Sequence, residues 1–253
     1  MNFTSEYQGK PDGDKLFTAL TAVGPSFGAA CPLGTRAIDR FGRSYRYVQA
    51  GAVALVAGNC LQGPAIVPLH LANTPPVVAL GATDFAYTPG ATGGVADQYK
   101  GGFLQVDTTP GNGRMYGIMT HAAITASVAF QLFLEKDDPI ALALTASSRV
   151  GLIQNPYQGV IQMPVTTATG LLIGVATSDI PIGGFGWAQT WGPAAVLIAG
   201  TPALGAGVMA PGTVAGAAEV VTTTNLVVAQ YVGRMMQVGV AGKNNAVYLT
   251  IAP

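Results

Sequence analysis

The chain has 253 residues, enough for one large β domain or two smaller ones. Charged side chains make up only 9%, against an ordinary share of about 25%, and 12 basic residues balance 12 acidic ones. Such a surface excludes the basic patch of a nucleic-acid binder and electrostatic docking on an anionic membrane. It is the surface expected of a chain largely covered by other protein.

A mean hydropathy of +0.41 raises the question of a membrane span. The test case is the run of 27 uncharged residues from Gly192 to Ala218. Pro193, Pro202 and Pro211 recur in it among many glycines and would break any helix, so neither a span nor a membrane partner is expected. The first residues show no basic segment followed by an apolar one, which implies synthesis and use without a secretory leader. In that setting Cys31 and Cys60 are expected to be reduced, packed thiols rather than a bridge.

Residues 1–30 mix polar and small side chains with Gly9, Pro11, Gly13, Gly24, Pro25 and Gly28, without clean periodicity. They read as an extended arm, either loose or ordered against a neighbouring subunit. From Leu33 the pattern tightens. Thr35 to Ile38 and Ser44 to Gln49 are predicted strands joined by the turn Asp39-Arg40-Phe41-Gly42, and Val53 to Ala57 is a third strand. Arg36, Arg40, Arg43 and Arg46 place four of the seven arginines within eleven residues. They form either a solvated hairpin face or a docking patch for an acidic protein surface.

Residues 64–102 read as loop, with Pro64, Pro68, Pro75, Pro76 and Pro89, and a boundary is expected near residue 66. The middle region then predicts strands from Gly102 to Asp107 and from Arg114 to His121. Val128, Phe130, Leu132 and Leu134 alternate with smaller or polar residues, as do Ile140, Leu142 and Leu144, which predicts a hairpin whose charged tip is 135–139, a helix over 121–134 being the competing reading. From about Thr166 a run of short strands follows: Leu171 to Ala176, Phe185 to Trp191, Ala194 to Ala199, Asn225 to Val232, Met235 to Val240 and Asn245 to Ile251. Turns are expected at Gly192-Pro193, at Gly233 and at Gly242 to Asn245. On the predicted strand 185–191, Phe185, Trp187, Gln189 and Trp191 share a bulky face, while Gly186, Ala188, Thr190 and Gly192 form a nearly bare one. These aromatics are assigned to packing, within a core or at a subunit seam.

The fold class expected is therefore all-β: short antiparallel strands in a barrel or sandwich, with an inserted or second β subdomain and an extended N-terminal arm. The predicted divisions are the arm at 1–30, strands at 31–66 that complete the C-terminal barrel, a middle β subdomain at 67–165 and the C-terminal barrel or sandwich at 166–253. A short echo between Ala54–Gly58 and Val196–Gly200 points to one scheme for early and late strands.

The chain offers little catalytic chemistry. It has no G-x-S-x-G nucleophile elbow. Its two histidines, His70 and His121, cannot furnish a metal cluster. Asp137 and Asp138 are adjacent at a hairpin tip and do not converge on one substrate atom as an acid and base must. Gly111-Asn112-Gly113 lacks the helix start of a phosphate loop. No enzyme activity, metal or cofactor is expected.

Three segments carry a resemblance: Leu33 to Val48 (LGTRAIDRFGRSYRYV) with the Ala50-Gly51 turn after it, Asn155-Pro156-Tyr157, and Phe185 to Pro193 (FGWAQTWGP). Together they resemble the head decoration, or cement, proteins of tailed bacteriophages, most distinctively in the last segment. The resemblance implies β-rich subunits, often homotrimers, seated on the outside of a capsid over junctions between copies of the major capsid protein. It implies a virion location, with Arg36, Arg40, Arg43 and Arg46 as candidate capsid contacts and Phe185, Trp187 and Trp191 as packing or trimer-interface residues. A different class, a glycan-binding host-attachment or fibre-base protein, would use Trp187 or Trp191 as a stacking platform. A tail-tube or shell subunit is a third class.

Overall fold

The computed structural model describes residues 32–165, 167–222 and 229–252. The expected arm at 1–30, Cys31 and part of the expected strand from Asn225 lie outside the described residues. The chain is all-β. It divides into two units, one formed by residues up to Pro64 together with those from Pro156, the other by Ala65–Asn155.

In the first unit, β1 (Arg36–Ile38) and β2 (Ser44–Gln49) form the expected hairpin, and β3 (Cys60–Gln62) follows. The second unit contributes β4 (Asp84–Tyr87), β5 (Phe103–Thr108), β6 (Met115–His121), β7 (Phe130–Leu134) and β8 (Arg149–Ile153). The chain then returns to the first unit with β9 (Ile161–Gln162), β10 (Leu172–Ala176), β11 (Phe185–Ile198), β12 (Gly207–Ala210), β13 (Glu219–Val220), β14 (Gln230–Met235) and β15 (Lys243–Thr250).

The second unit is a five-stranded antiparallel sheet in the order β4-β7-β6-β5-β8. Period-two alternation builds it: Leu104 and Val106 of β5, Tyr116 and Ile118 of β6, and Leu132 and Leu134 of β7 all turn into one core. β4 lies in the stretch read as loop. Its alternation, with Phe85 and Tyr87 inward and Asp84 and Ala86 outward, spans only four residues between proline-rich segments. The hairpin expected between 130–134 and 140–144 does not form. β7 pairs with β4 and β6 instead, and the later segment makes a single bridge, Leu144 to Val78. The alternation there is real, because Ile140 and Leu144 are buried while Leu142 is exposed, but the β7 edge it would need is already occupied.

In the first unit a sheet runs β13-β12-β14-β15-β11-β10-β3-β9, with β2 also paired to β11 and β1 to β2. The early strands thus join the late ones directly. The sheet curls: Ala218, just before β13, forms a parallel bridge with Ile198 at the far end of β11. Around this curl pack Val196 and Ile198 of β11, Val208 of β12, Val232 of β14, and Val247 and Leu249 of β15. A second cluster joins Val48, Leu61, Ile173 and Ala188.

Three expectations are corrected here. Val53 to Ala57 is not a strand; only Leu55 is buried and bridged, to Ile180, while Val53 and Val56 face solvent. The echo between Ala54–Gly58 and Val196–Gly200 therefore has no common structure. Gly192-Pro193 is not a turn, because β11 runs unbroken through it for 14 residues. A register shift against β2 between Gln189 and Trp191, together with the left-handed φ of +83° at Gly192, lets one strand serve two sets of partners. Its first half pairs with β2 and its second half with β15, and Trp191 is matched to both Ser44 and Thr250. The Gln189 side chain secures the shift by donating to the carbonyls of Trp191 (3.0 Å) and Pro193 (2.8 Å). Finally, β14 runs through Gly233 and ends at Met235, so Met235 to Val240 is loop.

Candidate functional site

The four-arginine hairpin is organised by Asp39. Its Oδ1 accepts the backbone N–H groups of Phe41 (2.9 Å) and Arg43 (3.0 Å), which shapes the turn. Its Oδ2 accepts Arg43 Nε at 2.6 Å and the Tyr45 hydroxyl at 3.2 Å. Burial works against the charged form of Asp39, but the Arg43 and Phe41 amides and the Arg43 guanidinium outweigh it and hold the carboxyl below its ordinary value. Burial, aided by Asp39, pushes the Tyr45 phenol up. Arg43 is therefore committed within the turn.

The other three arginines differ. Arg40 is exposed at the tip, with its guanidinium 4.7 Å from the centre of the Phe41 ring. Arg46 Nη1 reaches only the Gly34 carbonyl, at 3.2 Å. Arg36 and Arg46 stand directly opposite one another in the β1–β2 register, and the Nε atoms of both are buried without a hydrogen-bond partner. The patch found in the sequence is thus one spent arginine and three available ones. The signal for Asp39 as the hub, an aspartate opening a tight turn, was present in the sequence.

The sign of the Asp39 shift carries a prediction. A carboxyl whose folded value lies below the unfolded one, about 3.9, contributes stability that is complete above that value and lost as pH falls through the folded value. Asp39→Asn is expected to flatten the acid limb of a melting-temperature profile below about pH 4, monitored by tryptophan emission. Parallel limbs for the variant and the parent would show that Asp39 does not couple to folding.

On β11, Phe185, Trp187 and Trp191 are only half-buried, whereas Gly186, Ala188, Gln189, Thr190 and Gly192 are all buried. The register shift between Gln189 and Trp191 breaks the expected alternation, so the rings form two separate groups. Trp187 lies 5.1 Å from Tyr47, Tyr47 stacks on Phe185 at 6.0 Å, and Trp191 meets Tyr248 edge-on at 5.9 Å. A cleft of about 410 Å³ lies beside this region, lined by Gly58, Thr177, Gln189, Pro193, Asn244 and the committed Arg43. Its walls are amides and small apolar groups, with no acid–base pair.

Both histidines and several acids of the second unit are held by hydrogen bonds. His121 Nε2 accepts the backbone N–H of Tyr99 at 3.0 Å, and its Nδ1 faces the Ala122 carbonyl at 2.7 Å. His70 Nε2 faces the Thr92 carbonyl at 2.8 Å, and its Nδ1 meets the Tyr99 hydroxyl. The partners thus dictate one tautomer for each ring. Tyr87 donates to the His70 carbonyl, and burial pushes its phenol up to about 12. Asp138 Oδ2 accepts the Gly117 amide at 2.7 Å. Asp97 accepts the Thr120 hydroxyl first of all and the His121 amide, and these hold it below its ordinary value. In the first unit, burial pushes the Cys60 thiol up to about 12, which makes it a packed, unreactive group.

Among the described residues no group of three or more His, Cys, Asp or Glu side chains could hold a metal ion. Nor, among them, is any helix long and apolar enough to cross a membrane. The described residues thus form an all-β chain without a clustered acid–base or metal-ligating site. No protein family, curated protein or solved structure matches the chain.

Proposed function

We propose that this chain is a structural virion subunit that seats on the outside of a phage capsid and stabilises the shell, a decoration or cement protein acting as a homotrimer. The observation that carries the reading is the surface. Phe41, Val77, Leu80, Val95, Ile182, Leu204 and Val238 are each more than 60% exposed, and only 9% of the residues are charged. So much apolar surface with so little charge fits a chain that works under cover of neighbours. A subunit that binds only the assembled lattice shifts the lattice equilibrium against rupture, and many weakly held copies act together. The resemblance of Phe185 to Pro193 to decoration proteins supplies the identity of the neighbour, the major capsid protein. Purified intact heads are expected to contain this chain in fixed stoichiometry with the main shell protein; heads free of it would overturn the reading.

One observation favours a second reading, glycan binding by a virion attachment protein. Trp191 and Tyr248 form an edge-on pair on an outward face, with Tyr248 39% exposed. A shift of tryptophan emission on adding sugars would favour it, and an insensitive spectrum would retire it.

A further inference from the structure

We infer that the β1–β2 hairpin is a docking element for an acidic protein face, with Arg36 and Arg46 receiving the partner's carboxylates and Phe41 serving as the apolar anchor. The inference rests on the proposed function only for where that partner is found.

The first observation is an uncompensated pair of like charges. Arg36 and Arg46 are cross-strand neighbours, an arrangement that destabilises a hairpin when both carry the same charge. The only carboxylate between them, Asp39, has both oxygens occupied by Arg43, Tyr45 and the turn amides. Residues 36–46 hold four arginines and one aspartate, 4 − 1 = +3 on a chain of zero net charge. The second observation is desolvation without reward: the Nε atom of each guanidinium is withdrawn from water and bonded to nothing. A buried polar atom left so costs free energy that folding alone does not return. An incoming carboxylate on the outer nitrogens adds charge-assisted bonds to guanidinium groups that are already partly desolvated, because the guanidinium fork matches carboxylate geometry.

The third observation selects the class of partner. Ile38, 41% exposed, follows Arg36 two positions along β1, and Phe41, 67% exposed at the hairpin tip, carries Arg40 over its ring. Arginine beside an exposed aromatic is the composition of a protein interface centre. A nucleic-acid surface would instead spread cations along a phosphate path without an apolar anchor.

The test uses the full chain and a short labelled peptide of alternating Glu and Leu, with binding read by fluorescence anisotropy. Arg36→Gln/Arg46→Gln is expected to weaken binding at least about tenfold without lowering the melting temperature, since it removes a repulsive pair. Lys100→Gln, a cation of the other unit, is expected to change neither. The single variant Arg36→Gln, which removes a guanidinium with no bond to the fold, guards against misfolding of the double variant. Unchanged binding, a loss accompanied by a clear fall in melting temperature, or equal binding to a DNA duplex would each overturn the inference. Heads that retain the double variant at full occupancy would overturn it and leave the proposed function standing. Heads free of the chain, alongside arginine-dependent peptide binding, would do the reverse.

Discussion

Gly233→Ala is expected to destabilise the first unit by about 3 kcal/mol. Gly233 lies in the middle of β14, opposite Leu249 of β15. A Cβ added there would collide with the Tyr248 carbonyl oxygen and crowd Leu249 Cα. The obstacle is backbone on both counts, so no side-chain rotation relieves it and the two strands have to part. Parting them opens the core formed by Val232, Met235, Val247 and Leu249. Both tryptophans, Trp187 and Trp191, belong to this unit, so urea unfolding followed by tryptophan emission reads it selectively. A change below about 1 kcal/mol would mean that β14 and β15 separate without loss of packing.

The second large effect is expected at Asn245, only 2% exposed. Its Oδ1 accepts Gln237 Nε2 (3.1 Å) and the Val240 amide (3.0 Å). Its Nδ2 donates to the carbonyls of Val240 (3.0 Å) and Lys243 (2.7 Å). One side chain thus fixes the loop that carries Met236, Val238 and Val240 outward, all three exposed. Asn245→Ala removes four bonds and strands their partners, for a loss of about 2–3 kcal/mol. Amide exchange at Val240 should accelerate in step with it. Slow exchange at that amide in the variant would show that the loop is held by other means, such as the Gly239 amide on the Pro202 carbonyl at 2.7 Å.

These two positions show where the sequence was legible. Strands β5, β6 and β7 could be read because inward and outward residues alternate and one face is buried, and β2 because a clear turn precedes it, although both of its faces are largely buried. The alternation of β11 could be read only as far as Gln189, because the register shift before Trp191, invisible in the sequence, breaks it. Glycine was the chief source of error. At Gly42, with φ +75°, it marks a turn; at Gly233 it marks close approach of two strands, and local sequence does not separate the two uses. Strand β12 was hidden in the uncharged run, where Pro and Gly mask alternation over its four residues, and β13, just after the run, has only two. Polar clamps were out of reach for a different reason. Gln62 holds the Thr169 and Gly170 amides from 107 and 108 residues away, and only the folded chain brings them together. In the candidate docking patch the four arginines were visible from spacing, but the commitment of Arg43 and the stranding of Arg36 and Arg46 depend on the hairpin register.

The curl of the larger sheet has a consequence for how this chain tolerates crowding. A protein of zero net charge has no mutual repulsion to keep copies apart, and 49% of its residues are hydrophobic. The usual hazard is an open strand edge on which another chain can stack and polymerise. Here the terminal strands β13 and β9 have two residues each, and β1 has three. In the second unit β8 is capped by Asn73, which exchanges two backbone hydrogen bonds with Val150. Short and capped edges limit cross-β growth by geometry, so the apolar side chains can stay on the surface and copies can be packed densely without fusing into fibrils.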